Sequence, residues 1–187
     1  FFFNDTATTE IYTLSLHDAL LISRTLYSDI LGYDKVVYDE EDVFTDFSGL
    51  PGGDQSMRRV LLRRQQPTSG SFSEFLGSGS VELVKVQGNQ PKKIFADRYW
   101  GDRGFIHLCF DIKDMNAMKA ECESKGYPFT VDSGEVFDMG EASGRFSYVE
   151  DPDGTLIEFV ETNKIPIIKK IGWYLTLNKK KDRKSEV

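Results

Sequence analysis

The chain has 187 residues, 40% of them hydrophobic, and its 30 acidic and 23 basic side chains give a formal net charge of -7. This acidic balance argues against a nucleic-acid-binding protein, whose surface normally carries a basic excess. No apolar run reaches the roughly 18–20 residues that span a bilayer. The two cysteines, Cys109 and Cys122, are too few for a disulfide framework. We therefore expect reduced thiols in a cytoplasmic protein that binds neither nucleic acid nor membrane.

Residues 1–23 read unlike the rest of the chain. They resemble the translation of a short-read sequencing-library adapter, matching from Asn4 to Ile22 at every position except Leu21, where the adapter encodes proline. We interpret residues 1–23 as an artefactual segment, expect genuine sequence to begin near Arg24, and expect the chain as written to be functionally impaired. The alternative is a native strand and helix. His17 then carries little weight as a ligand.

The first half of the remaining chain predicts one helix and three strands. Apolar residues at 26, 27, 30 and 31 indicate a helix over 24–32 that ends at Gly32. Strands are predicted at 34–38, 57–64 and 80–86. Residues 39–55 and 65–80 are predicted to be loops, the second with one helical turn, because they are rich in Gly, Ser and polar residues.

The second half begins after a linker at 88–103. A strand is predicted at 104–112 and a helix at 114–125, with Asp114 as N-cap and Gly126 at the end. Short strands or connections follow at 129–131, 134–139 and 145–150. A turn at 151–154 precedes a final strand at 155–161. Residues 164–187 form a C-terminal extension with a basic tail, in which 167–177 is either a helix or an extended arm.

The two halves share a faint internal repeat. Each has a helix ending in Gly-Tyr, at positions 32–33 and 126–127, and each ends in a strand with an apolar-flanked glutamate, Glu82 or Glu158. We predict an α+β fold of tandem βαβββ modules at 24–87 and 104–163, curled as a mixed sheet around a shared cleft. The repeat places the opening strand of the first module inside residues 1–23, so that module lacks its native first strand.

A histidine in the strand that opens the second module, His107, precedes an Asp-Pro-Asp-Gly-x-x-Ile-Glu ending at Glu158. This layout resembles the vicinal oxygen chelate superfamily of glyoxalase I, methylmalonyl-CoA epimerase, extradiol dioxygenases and bleomycin-resistance proteins. The resemblance implies a small-molecule substrate and one divalent metal, which would be Zn, Ni, Co, Mn or Fe. It also implies a monomer or homodimer.

The same resemblance implies Glu82, His107 and Glu158 as metal ligands, with the ligand from the lost first strand missing. Strand alternation puts each of the three on an apolar face, where a carboxylate is costly unless it is paired or metal-bound. A strand histidine can instead be a hydrogen-bonded core residue, and a strand glutamate can lie on a solvated face. Glu158 is also the candidate catalytic base, or else a ligand only.

Family membership of this kind leaves several functions open. A glutamate at the end of both modules favours a lyase, isomerase or epimerase that acts on a small carbonyl or thioester substrate through a metal-stabilised enediolate. Extradiol dioxygenases use two histidines and one carboxylate, and resistance-type members bind a small molecule without catalysis. Candidate substrate contacts, which could equally be core residues, are Trp100, Phe137, Met139, Arg145 and Tyr148.

Overall fold

The strands form two sheets, one from each half of the chain. The structure is a computed structural model, and it describes residues 10–14, 24–89, 92–134, 137–138, 143–168 and 173–176. Within these ranges, none of the helices has both the length and the apolar character that a membrane crossing requires.

The first sheet has four strands in the order β1-β4-β3-β2. They are β1 (Glu10–Leu14), β2 (Lys35–Asp42), β3 (Met57–Arg63) and β4 (Ser80–Val86). β1 runs parallel to β4, and the other neighbours are antiparallel. Helix α1 (Thr25–Ile30), which has wide π-type turns, connects β1 to β2, and the single helical turn α2 (Ser73–Leu76) precedes β4.

The second sheet repeats this plan with six strands. They are β5 (His107–Asp111), β6 (Val131–Asp132), β7 (Phe137–Asp138), β8 (Ser143–Glu150), β9 (Leu156–Ile168) and β10 (Trp173–Thr176). β5 runs parallel to β9, as β1 does to β4, and helix α3 (Met115–Ser124) follows β5. The predicted α+β architecture is therefore confirmed.

Three details refine the sequence expectation. Glu10–Leu14 occupies the place of the first module's opening strand, although it lies in the adapter-like segment; the origin of that segment stays a prediction. β2 continues to Asp42 inside the predicted loop, and its acidic residues lie opposite arginines of β3. Of the two alternatives for 167–177, the described residues form an extended arm, since β10 pairs with a lengthened β9.

Residues of the closing strands alternate between the core and the opposite face of each sheet. Val81 and Leu83 of β4, and Ile157 and Phe159 of β9, are buried in a common core with α1 and α3. The intervening glutamates, Glu82 and Glu158, therefore project to the opposite face of each sheet. Both sheets thus present one strand-borne carboxylate on the side away from the helices.

The turn that precedes β9 ties the two modules together. Asp151 is buried, and its Oδ1 accepts hydrogen bonds from the backbone N–H groups of Asp153 (2.9 Å) and Thr155 (2.7 Å). Its Oδ2 accepts a hydrogen bond of 3.1 Å from the hydroxyl of Tyr27 on α1. The predicted turn is therefore also a link between the first helix and the second sheet.

Candidate functional site

A histidine, a glutamate and a tyrosine meet on the face of the second sheet away from α3. His107 Nε2 lies 3.1 Å from Glu158 Oε2, and the Tyr148 hydroxyl donates a 2.8 Å hydrogen bond to Glu158 Oε1. The strand register explains the meeting, because Tyr148 lies directly opposite Glu158 on β8 and β5 runs beside β9. Both carboxylate oxygens of Glu158 therefore have a defined partner.

This cluster remains partly open to solvent. The His107 and Glu158 side chains are 27% and 16% exposed. The His107 and Tyr148 rings meet edge to face with centroids 5.5 Å apart, which fixes the imidazole plane. His107 Nδ1 is buried and has no hydrogen-bond partner among the described residues. Burial, and then the hydrogen bond to Glu158, raise the pKa of Tyr148, so the phenol stays protonated and remains a donor.

Cys109 lies directly opposite Glu158 on β5. Although the residue has an exposed surface, desolvation and the neighbouring Glu158 carboxylate raise the pKa of its thiol to about 12. A thiol with such a pKa is not a thiolate at neutral pH, and the thiolate is the form that binds metals and attacks electrophiles. Cys109 is therefore a neutral neighbour of the cluster.

The glutamate of the first sheet has different partners. Glu82 is fully buried, and its Oε1 lies 2.5 Å from Arg59 Nε and 2.5 Å from the Tyr38 hydroxyl. Its Oε2 is buried without a hydrogen-bond partner among the described residues. Unlike Glu158, the Glu82 carboxylate already has a full positive charge in contact with it.

Arg59 is itself enclosed. Its Nη1 forms an ion pair of 2.7 Å with Asp46, and its guanidinium lies 4.7 Å and 4.1 Å from the ring centroids of Phe44 and Phe47. Burial alone would lower the pKa of Arg59, but the hydrogen bonds to Glu82 and Asp46 outweigh it and raise the pKa overall. We call Tyr38, Phe44, Asp46, Phe47, Arg59 and Glu82 the arginine cluster.

The spacing of the donor atoms of His107 and Glu158 fits a metal ion, whereas the surroundings of Glu82 do not. Two donors that bind one ion at about 2.1 Å in neighbouring octahedral positions are about 3 Å apart, and His107 Nε2 and Glu158 Oε2 match this spacing at 3.1 Å. Glu82 does not fit as placed, because Arg59 holds it. Across the described ranges, no three His, Cys, Asp or Glu side chains are grouped so that they could hold a metal.

The remaining predicted contacts fall in different places. Tyr148 belongs to the cluster, whereas Trp100 is 62% exposed in the connection between the modules. Arg145 Nη1 lies 2.7 Å from Asn116 Oδ1 of α3, so Arg145 faces the helix. Met139 and the side chain of Phe137 lie outside the described residues.

Sequence reasoning missed Arg59, Asp46 and Tyr38. One signal was present: Arg59 shares its strand face with Met57 and Leu61, where a charged side chain needs a partner. The identity of that partner depends on the β2–β3–β4 register and on the turn that covers it, Thr45–Phe47. Neither can be read from the spacing of residues along the chain.

A cavity of about 420 Å³ lies near Cys109, and it does not include the group formed by His107, Tyr148 and Glu158. Its lining includes Cys109 but not His107, Glu158 or Tyr148. The other walls combine apolar side chains, among them Tyr33, Phe110 and Met118, with charged ones, among them Arg64, Asp111 and Lys113. Residues of α3 also line the cavity, so it lies on the helix side of the sheet, whereas Glu158 projects to the other face.

Comparison with known families gives one match over most of the chain. The model of the Glyoxalase/Bleomycin resistance protein/Dioxygenase superfamily matches residues 23–159. The matched region begins where the adapter-like segment ends, and it includes Glu82, His107 and Glu158.

Similar individual proteins have related descriptions. The "Probable lactoylglutathione lyase" of Synechocystis sp. is 28% identical over 110 residues, covering 55% of this chain and 76% of that protein. A glyoxalase family protein from Bacillus cereus has a TM-score of 0.59 at 14% identity, covering 85% of this chain and 95% of that one.

A further similar structure is a complex with ligands. It is a mutant of the fosfomycin resistance protein FosX from Listeria monocytogenes, complexed with Mn(II) and 1S,2S-dihydroxypropylphosphonic acid. Its TM-score is 0.50 at 12% identity, with 83% of this chain and 90% of that one covered. At such identities the two structural likenesses concern the fold alone.

Proposed function

The chain belongs to the glyoxalase/bleomycin resistance protein/dioxygenase superfamily, and on that premise we propose that it is a glyoxalase-type lyase, isomerase or epimerase. Its substrate would be a small carbonyl compound or thioester. The observation that carries the proposal is the His107–Glu158 contact of 3.1 Å, buttressed by Tyr148 on an accessible sheet face. The similarity to the Synechocystis protein supports the lyase class.

Glu158 is the proton-transferring group in this proposal. A proton on the carbon next to the substrate carbonyl moves to a Glu158 oxygen, and the C–H electron pair shifts so that the carbonyl oxygen becomes an enediolate oxygen. The same carboxyl group then returns the proton to the adjacent carbon, and the hydroxyl proton passes to the other enediolate oxygen, so that the carbonyl and hydroxyl positions are exchanged. In an epimerase, the proton on the opposite face of the first carbon would come from solvent water, and Glu158 would release its own proton to solvent.

The neighbours of Glu158 orient it for this transfer. The Tyr148 hydroxyl occupies Oε1 at 2.8 Å, which leaves Oε2, on the His107 side, as the reacting oxygen. A divalent metal bound at His107 Nε2 would supply Lewis-acid polarisation of the substrate carbonyl. Glu158 Oε2 can be either its second ligand or the base, and in this proposal it is the base. Glu82 is the expected third ligand, and since Arg59 holds it, no step is assigned to it.

A cavity of about 420 Å³, within the range of small-molecule sites, lies on the α3 side of the second sheet. Because Glu158 projects to the other face, we do not place the reacting part of the substrate in this cavity.

The test is solvent proton exchange, followed by NMR in D₂O, for α-hydroxycarbonyl compounds and α-substituted thioesters. The chain should wash deuterium into the position next to the carbonyl, at a reduced rate because residues 1–23 are expected to replace the native opening strand, and Glu158→Gln should abolish the exchange. The matched control is Glu161→Gln on the same strand. Exchange that survives Glu158→Gln would exclude Glu158 as the proton-transferring group.

A second candidate is a non-catalytic module that binds a small molecule in the same cleft. The lack of three grouped donors in the part of the chain that the structure describes favours it. It predicts saturable ligand binding by calorimetry without deuterium exchange, and no dependence of that binding on His107. Metal-dependent exchange would exclude this candidate.

A further inference from the structure

The arginine cluster has a chemical consequence for the cleft. We propose that Arg59 is the resident cation of the first module and that it competes with a divalent metal for the Glu82 carboxylate. The competition rests on the proposed function, because it assumes that the protein binds a divalent metal. The role of Arg59 as the cation paired with Glu82 does not depend on that metal.

Contact between Arg59 and Glu82 leaves little attraction for a second cation. The two side chains are 10% and 0% exposed, and the Nε–Oε1 distance is 2.5 Å. Two like charges a few ångströms apart repel strongly where water is largely excluded. A divalent ion that approached Glu82 would meet the guanidinium first, so metal binding there requires Arg59 to leave.

Departure of Arg59 requires movement of the turn that covers it. Phe44 and Phe47 enclose the guanidinium, and Asp46 pairs with Nη1 whereas Glu82 pairs with Nε. Asp46 is the exposed member, with 57% of its side chain accessible. The turn Thr45–Phe47 therefore closes over the ion pair from the solvent side.

The acid of the second module has no such occupant. Glu158 contacts His107 and Tyr148, and no arginine or lysine of the described residues forms an ion pair with it. Of the two equivalent glutamates, Glu158 is thus the one whose charge is open to an incoming cation. Arg59 accordingly makes the two halves of the cleft unequal.

Titration of the full chain with Mn²⁺ by isothermal calorimetry tests the competition. Arg59→Met should bind Mn²⁺ about tenfold more tightly than wild type, because it removes a like charge a few ångströms from the Glu82 carboxylate. Arg59→Met combined with Glu82→Gln should return the affinity to the wild-type value. The matched control is Arg58→Met on the same strand, whose partner Asp39 is exposed, and it should leave the affinity unchanged.

An Arg59→Met affinity equal to or weaker than wild type would overturn the competition while leaving the proposed reaction intact. If no variant binds Mn²⁺, both the competition and the metal in the proposed function are wrong. A thermal-unfolding cycle of Arg59→Met, Glu82→Gln and the double variant tests the resident cation independently of metal. Each single change should lower the Tm by about 5 °C or more, and the double change by less than their sum; additive shifts would overturn the proposal.

Discussion

Glu82 and Glu158 occupy equivalent positions in two copies of one plan, and their surroundings are opposite. Each lies on a closing strand, opposite a parallel opening strand, on the face away from the helices. Glu82 is fully buried against an arginine, whereas Glu158 is partly exposed beside a histidine and a tyrosine. Equivalent positions in a repeat therefore do not imply equivalent chemistry.

The difference shows what decides the role of a strand-borne carboxylate. A buried acid needs a compensating partner, and for Glu82 an arginine from the neighbouring strand is that partner. The charge of such an acid is neutralised by its partner, so it is not available to bind a ligand or accept a proton. An acid whose partners are a histidine and a phenol keeps its charge available for a ligand or a proton.

The largest expected effect is a difference in the free energy of unfolding between variants of the two glutamates. Glu82→Ala leaves Arg59 buried without its principal partner and should lower the free energy of unfolding by about 3–5 kcal/mol. Glu158→Ala, in the more open cluster, should cost less than about 1–2 kcal/mol. Urea denaturation of both variants measures this, and equal losses would remove the distinction between the modules.

Asp151 tests whether hydrogen bonds alone can compensate a buried acid. Asp151→Ala removes the acceptor for two backbone N–H groups and for Tyr27, so it should cost about 2–3 kcal/mol. Asp153→Ala in the same turn is the matched comparison for backbone effects. A loss well under 1 kcal/mol for Asp151→Ala would show that water replaces these hydrogen bonds at no cost.

The stability contributed by Asp151 should also depend on pH. Burial raises its pKa above the ordinary 3.8, although hydrogen bonds from Thr155, Tyr27 and Asp153 oppose the increase. Between 3.8 and the raised value the folded protein holds more protons than the unfolded chain, so stability falls as pH rises through this window. Because Asp151→Asn does not titrate, the advantage of wild type over this variant should shrink over the same window; an unchanged difference would contradict the raised pKa.

Tyr148→Phe should have a moderate effect confined to the second module. The variant keeps the ring against His107 and loses the hydrogen bond to Glu158. We expect a stability loss of about 1 kcal/mol and a roughly tenfold slower deuterium exchange, because Glu158 is no longer held in one orientation. Exchange at the wild-type rate would show that Tyr148 does not position Glu158.

The smallest effect is expected one residue from Arg59. Arg58 forms a two-bond ion pair with Asp39, at 2.7 and 2.8 Å, but both side chains are substantially exposed. Arg58→Met should therefore change stability by about 0–1 kcal/mol, and the change should diminish in high salt. A loss as large as that of Glu82→Ala would mean that burial does not distinguish the two arginines.

Much of this arrangement follows from local patterns. Alternation along 80–86 and 155–161 indicates the closing strands and puts Glu82 and Glu158 on an apolar face of each; the structure adds that the main core lies on the other face. Gly126 and Asp114 mark the ends of α3, where Asp114 Oδ1 accepts the Ala117 N–H. These features depend on residues close together in the chain, so sequence periodicity is sufficient to find them.

The partners of the two acids could not be predicted in the same way. Arg59 reaches Glu82 across a strand register, and Asp46 reaches Arg59 from a turn within a predicted loop. The meeting of Tyr148 with Glu158 depends on the β8–β9 pairing. Because these contacts are set by pairing and not by spacing, the sequence suggested which acids were costly to bury without showing what compensates them.

The hydrogen bond from Tyr27 to Asp151 also bears on the order of folding. It joins residues 124 positions apart, and contacts between distant positions form slowly because a long loop must close first. During synthesis α1 emerges well before the turn that anchors it, so the first module waits for the second before its helix is fixed. A ribosome-bound fragment that ends before Asp151 should therefore protect α1 poorly from proteolysis.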